Sequence, residues 1–159
     1  NPIKQNNLLF SNNSDGTFEN VSAESGLDDS AIGRGTVFFD FNGDGCLDIF
    51  VANIGDMPNL YQNKCTWGNH WLQVELIGVN INRDAVGSRI ELTSRDRTQV
   101  RHISAGGSYM GQNMRTAHFG LGDSQIIDQL VIIWSDGTID QLDDLQVDNK
   151  IVVKQDKSN

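Results

Sequence analysis

Apolar side chains along this chain come in short runs separated by clusters of Asn, Asp, Gly and Ser. No long window carries the period of about 3.6 residues that marks an amphipathic helix, so the pattern predicts strands joined by turns. The expected strands lie near Asn7 to Ser11, Thr17 to Val21, Gly35 to Phe41, Leu47 to Ala52, Asn59 to Gln62 and Trp71 to Ile77. Others are expected near Ser88 to Thr93, Thr98 to Ser104, Arg115 to Phe119, Leu130 to Trp134, Ile139 to Leu142 and Lys150 to Lys154. Ser135, Asp136, Gly137 and Thr138 form a hairpin signal, because an Asp-Gly pair tolerates positive φ. Between His70 and Ile77, Leu72, Val74 and Leu76 alternate with Gln73 and Glu75, which predicts one packed face and one wet face. Leu130 to Trp134 is apolar throughout, as in the middle strand of a packed sandwich or barrel, and is the expected core strand of the C-terminal half.

Two segments resemble each other: Asn7-Leu8-Leu9-Phe10 and Asn59-Leu60-Tyr61-Gln62, 52 positions apart when Leu8 and Leu60 are aligned. A period near fifty suggests an array of short-stranded repeats. Only the first copy is followed by Asp15-Gly16-Thr17-Phe18, so the second repeat is cut short. After Cys65 the Asp/Gly-rich vocabulary stops and longer strands begin, which places an expected boundary between 1–65 and 66–159.

Charge narrows the partners. With 12 basic and 21 acidic side chains among 159 residues, the net charge of −9 repels nucleic-acid phosphates and anionic lipid, and favours cations, metal ions first. The apolar runs fall far short of the roughly 20 residues of a bilayer span, so no membrane insertion is expected. The chain opens at Asn1 with no Met and no basic-then-apolar leader, so any export signal is expected to be removed or to lie outside it. Cys46 and Cys65, 19 positions apart, form a disulfide in an oxidising compartment or stay two unrelated thiols; spacing does not decide between them. The 16 glycines, about one residue in ten, imply many turns.

The strongest local signal is Asp40-Phe41-Asn42-Gly43-Asp44-Gly45-Cys46-Leu47-Asp48. Oxygen side chains stand at positions 1, 3, 5 and 9 of this loop, and Ca²⁺ takes six to eight hard oxygen ligands that short carboxylates on a tight turn can supply. Asp40, Asn42, Asp44 and Asp48 are the expected side-chain ligands, with the backbone carbonyl of Cys46 at position 7. An EF-hand is excluded: position 12 is Val51 rather than Glu, and Leu47 to Ala52 alternates as a strand. The competing reading is a solvated Asp/Gly turn; for Asp15-Gly16 and Asp136-Gly137, which lack the extra acids, a plain turn is the expectation.

Other constellations carry less chemistry. His70, His102 and His118 lie on separate expected strands without zinc-motif spacing. Ser108 sits in Gly106-Gly107-Ser108-Tyr109, but Met110 breaks the nucleophile-elbow pattern. Gly120-Leu121-Gly122 opens like a dinucleotide fingerprint, lacks its third glycine, and is expected to be a turn. The segment 108–115, with Tyr109, Gln112, Asn113 and Arg115, suits a sugar or peptide surface or is a structured connection. Trp67 and Trp71 are expected to be packing anchors.

The acidic loop, with Asn7-Leu8-Leu9-Phe10, Asp15 to Val21 and Gly33-Arg34-Gly35, resembles the FG-GAP or VCBS repeats of integrin-like β-propellers over residues 1–65. The remainder resembles the ASPIC and UnbV family through Asn69-His70-Trp71-Leu72, Gly87-Ser88-Arg89-Ile90, Gly106 to Tyr109, Gln112 to Gly122 and Trp134-Ser135-Asp136-Gly137. The resemblance implies an all-β chain: partial β-propeller-type strands followed by an antiparallel β-sandwich or barrel-like module. It further implies calcium binding, an extracellular or cell-envelope location, and a non-catalytic recognition or scaffold role toward a protein or glycan ligand. Two alternatives stand beside it: a carbohydrate-binding module using residues 108–115, and a hydrolase or biosynthetic accessory enzyme using His118 and Ser108 with structural calcium. A propeller closes with about four to eight blades. The first 65 residues are therefore expected to pack on the C-terminal module, to self-associate through their unfinished strands, or to continue in a longer protein.

Overall fold

The computed structural model describes residues 3–65, 68–107 and 109–156; Trp67 and Ser108 lie outside the described residues. Strands and turns make up the described chain, with no helix among them. Seven short strands form the N-terminal half: β1 (Gln5–Asn6), β2 (Phe10–Asn12), β3 (Phe18–Asn20), β4 (Ser30–Ala31), β5 (Gly33–Phe39), β6 (Asp48–Asn53) and β7 (Asn59–Tyr61). β5, β6 and β7 are an antiparallel meander, β2 and β3 a hairpin, and β1 pairs with β4. The β2–β3 turn is pinned by Asp15, whose Oδ1 accepts from the Thr17 amide at 2.9 Å and hydroxyl at 2.6 Å. β1 and β4 have no counterpart in the expected strands, because two residues are too few to display alternation.

The C-terminal half has longer strands: β8 (His70–Ile77), β9 (Arg89–Ser94), β10 (Arg97–His102), β11 (Ala117–Gly122), β12 (Gln129–Ile133), β13 (Ile139–Leu142) and β14 (Asn149–Lys154). They form two sheets, β10-β9-β12-β13 and β11-β8-β14, which bury a common core and do not close into a barrel. β8 contributes Leu72, Val74 and Leu76, and β11 contributes Phe119. From the other sheet come Ile90 and Leu92 of β9 and Leu130 and Ile132 of β12. Trp134 completes this core, and its indole N–H is satisfied by Asp140 at 2.8 Å.

Three expectations are amended. β14 pairs with β8 in parallel; the chain crosses between the sheets after β13 instead of turning back in a hairpin, so the module is not wholly antiparallel. Gly120-Leu121-Gly122 is the end of β11, not a turn: Gly120 pairs with Trp71 and Gly122 with His70, which leaves Leu121 as a bulge residue. The outward face of β8 is not simply wet, for Gln73 is only 4% exposed. The N-terminal half covers it.

The two halves meet at two contacts. The loop 40–48 lies on β8 and β11, and residues 109–113 run along β5, where Asn113 Oδ1 accepts from the Phe38 amide at 2.9 Å. Gly35 permits the second approach, since a Cβ there would meet the Met110 carbonyl at 2.7 Å.

Candidate metal centre

The loop between β5 and β6 turns sharply because Gly43 and Gly45 adopt φ of 75° and 87°, values that L side chains resist. Its side chains accept from its own amides, as short Asx side chains do. Asp40 Oδ1 accepts from the amides of Gly43 at 2.8 Å and Asp44 at 3.1 Å, and Oδ2 accepts from Gly45 at 2.9 Å. Asp44 Oδ1 accepts from the Cys46 amide at 2.9 Å, and Asn42 donates to Asp44 Oδ2 at 2.7 Å.

Asp48 differs from the others in being fully buried. Its two oxygens accept from the amides of Phe41 at 2.8 Å and Asn63 at 2.7 Å, so it ties the loop to the segment after β7. The same connection is made covalently by the Cys46–Cys65 disulfide, with Cα atoms 6.3 Å apart.

The four oxygen side chains therefore divide into two kinds. Asp40 and Asp48 are framework carboxylates held by amides, whereas Asn42 and Asp44 are exposed on the open side of the turn. Among the described residues, the grouping of ligand atoms tight enough for a metal, within 4.8 Å, is Asp44, Cys46 and Cys65; Asp40 and Asp48 do not join it. Both sulfurs of that group are spent in the disulfide. That leaves Asp44 as the ligand of this group, and no Lys or Arg pairs with Asp40, Asp44 or Asp48 among the described residues. Three carboxylates in nine residues without a basic partner fit a hard divalent cation, not a soft one.

The floor of the loop comes from the other half of the chain. Gln73 of β8 donates Nε2–H to Asp40 Oδ2 at 2.8 Å, and His118 of β11 donates Nε2–H to the Gly45 carbonyl at 2.7 Å. Because the carbonyl can only accept, His118 carries its proton on Nε2. Burial pushes the His118 pKa below the usual histidine value; Arg101 adds to this, while the Gly45 carbonyl and Asp40 oppose it. Trp71 stacks on His118 with centroids 6.5 Å apart and planes 11° apart, and its indole occupies the space where a Gly45 side chain would stand. Sequence reasoning missed Gln73 and His118 as partners of this loop. They lie 33 and 73 positions from their contacts, and no local pattern announces such a pairing.

The remaining sequence candidates stay apart. His70 Nδ1 lies 2.7 Å from Asp148 Oδ2, and His102 is exposed at the end of β10. Asn113 and Arg115 border a cavity of about 320 Å³ with Arg101 and His118, whereas Tyr109 is 71% exposed outside it.

Comparison with known proteins matches two separate spans of the chain. The model of the ASPIC and UnbV family matches residues 78–159, more than half of the chain. The chain belongs to the ASPIC and UnbV family. Residues 3–51 match the FG-GAP-like repeat, so the repeat precedes the family domain, and β8 with Gln73 falls between the two matched spans. Cartilage acidic protein 1 of Homo sapiens is 28% identical over 127 residues, covering 77% of this chain and 19% of the relative. Its counterpart in Xenopus tropicalis is 32% identical over 113 residues, covering 67% and 17%. This ASPIC and UnbV chain thus spans about a fifth of the length of the curated relatives it matches.

Proposed function

We propose that the chain is a calcium-stabilised, non-catalytic extracellular module for recognition or scaffolding, with Asp40, Asn42, Asp44, the Cys46 carbonyl and Asp48 as the ion's ligands. The observation that carries this is the hard-oxygen loop: three carboxylates turned by glycines, held by amides and unpaired with any basic side chain among the described residues. Bound calcium would neutralise them and add its binding free energy to folding. The disulfide favours an oxidising compartment, and hence export. The division into 1–65 and 66–159 belongs to this reading, supported by a core confined to the C-terminal half. A protein or glycan partner, or a second copy meeting the apolar side chains of the unfinished repeat, completes it.

The test is thermal unfolding with calcium and with a chelator. At a calcium concentration a hundred times Kd, linkage contributes about 2.7 kcal/mol, or roughly 5–10 °C in Tm for a domain of this size. Asp44→Ala should erase the difference; identical wild-type curves with and without calcium would refute the reading.

A second reading, carbohydrate recognition through residues 108–115, is favoured by the cavity that Asn113, Met114 and Arg115 share with Arg101, His102 and His118. Among the described residues Arg101 has no carboxylate partner, its guanidinium being bonded to the carbonyls of His118 and Val100 and to Gln99. An acidic sugar suits such a cleft. A glycan array that includes uronic acids tests it; absence of binding to every acidic glycan would remove it.

A further inference from the structure

We infer that the metal loop is completed from the other half of the chain: Gln73 is a positioning residue for Asp40, and calcium binding is coupled to the seating of the loop on β8 and β11. This rests on the calcium reading above and deepens it. Gln73 and His118 are direct cross-strand partners on β8 and β11, so their side chains share the outward face of that sheet. Trp71, two residues from Gln73 on the same strand, shares the face as well. Leu72 and Phe119, the neighbouring pair in register, point the other way into the core. The sheet thus presents a rigid platform of three side chains to the loop, each locked by strands whose opposite face is fully packed.

The chemistry of the platform fits a supporting role. Gln73 is a buried polar side chain, and its amide spends a donor on Asp40 Oδ2. Together with the Gly45 amide it fixes that oxygen, which leaves Oδ1 directed into the loop. A neutral donor orients a carboxylate without cancelling its charge, whereas a lysine or arginine at the same place would compete with a cation. His118 holds the peptide next to Cys46, whose carbonyl is the position-7 ligand of the calcium reading. Gly45 must be glycine for this docking, because its positive φ and the Trp71 ring both exclude a side chain. Disturbing the platform therefore disturbs the ion site, although no platform residue is itself a ligand.

The experiment is isothermal titration of the whole oxidised chain with calcium, alongside melting in chelator. Gln73→Leu, which keeps volume and removes the donor, should weaken calcium binding about 10-fold, the usual scale for an outer partner of a metal ligand. Gln73→Lys restores a donor to Asp40 and should melt in chelator at or above Gln73→Leu, yet bind calcium more weakly than it. A merely structural glutamine predicts the reverse, with affinity following stability. His118→Phe keeps the ring beside Trp71, loses the bond to Gly45, and should weaken binding by a smaller factor; it gives a second measure should Gln73→Leu fold poorly. Wild-type affinity in both Gln73→Leu and His118→Phe would overturn the inference while leaving the calcium reading intact. No calcium binding by the wild type would overturn both.

Discussion

The two halves of this chain bury their apolar side chains to very different degrees. In the C-terminal half, Leu72, Phe119, Ile90, Leu92, Leu130 and Ile132 are completely buried between two sheets. In the N-terminal half, Phe10, Phe18, Phe41, Leu8 and Met57 remain more than half exposed, and among its described residues only Ala31 and Val51 bury an apolar side chain. One half is stabilised by a dry core. The other is held by turns, a disulfide, a buried aspartate and contact with its neighbour. The difference teaches that the repeat portion gains its order from specific polar and covalent ties. Its acidic loop is where those ties concentrate.

The comparison can be broken most forcefully in the core. Phe119→Ala should destabilise the chain by about 3–5 kcal/mol in a denaturant titration, because a large cavity opens between the sheets; a loss below about 1 kcal/mol would mean that the C-terminal core is not the stabilising unit. Cys46→Ser with Cys65→Ser removes the staple of the N-terminal half, and a closed loop of this size corresponds to about 3 kcal/mol. Comparable stability with and without reductant would show that the repeat is held by its turns, Asp48 and its neighbour without the disulfide.

A smaller effect tests the seam. His118 is held below its ordinary pKa of 6.5, so protons bind the unfolded chain more readily than the folded one as the pH falls through that value. Stability is therefore retained above pH 6.5 and lost on acidification below it, until the lowered folded pKa is reached. In calcium-free buffer, His118→Gln should flatten that part of the pH profile while its amide still offers a donor to Gly45; an unchanged slope would exclude His118 as the source. The smallest effect belongs to the exposed face: Phe18→Ser, at 62% exposure, should change stability by no more than about 0.5 kcal/mol. A loss that grows with protein concentration would reveal that this face is covered by a second copy.

Much of the fold was legible in the chain itself. Period-2 alternation located β8 and a continuous apolar run located β12, each within a residue, and Asp136-Gly137 marked the β12–β13 hairpin, where Gly137 takes φ of 88° and Asp136 Oδ1 accepts from the Thr138 amide. The end of β11 was not legible, because glycines that signal turns locally are tolerated at a bulged strand end. For the candidate site, the acidic loop stood out by spacing. Its supports did not.

Sequence by itself determined the all-β class and the oxygen-rich loop, through local periodicity and spacing, and the resemblance of its segments to known families pointed to the family and to the order of repeat and module. Tertiary structure alone decided that Cys46 and Cys65 join, that Asp48 is a buried brace, and that Gln73 and His118 meet the loop. The physical reason is range. Turn chemistry and alternation act over a few residues, but the contact of a side chain with a loop 33 or 73 positions away exists only once two sheets have packed and fixed which face looks outward.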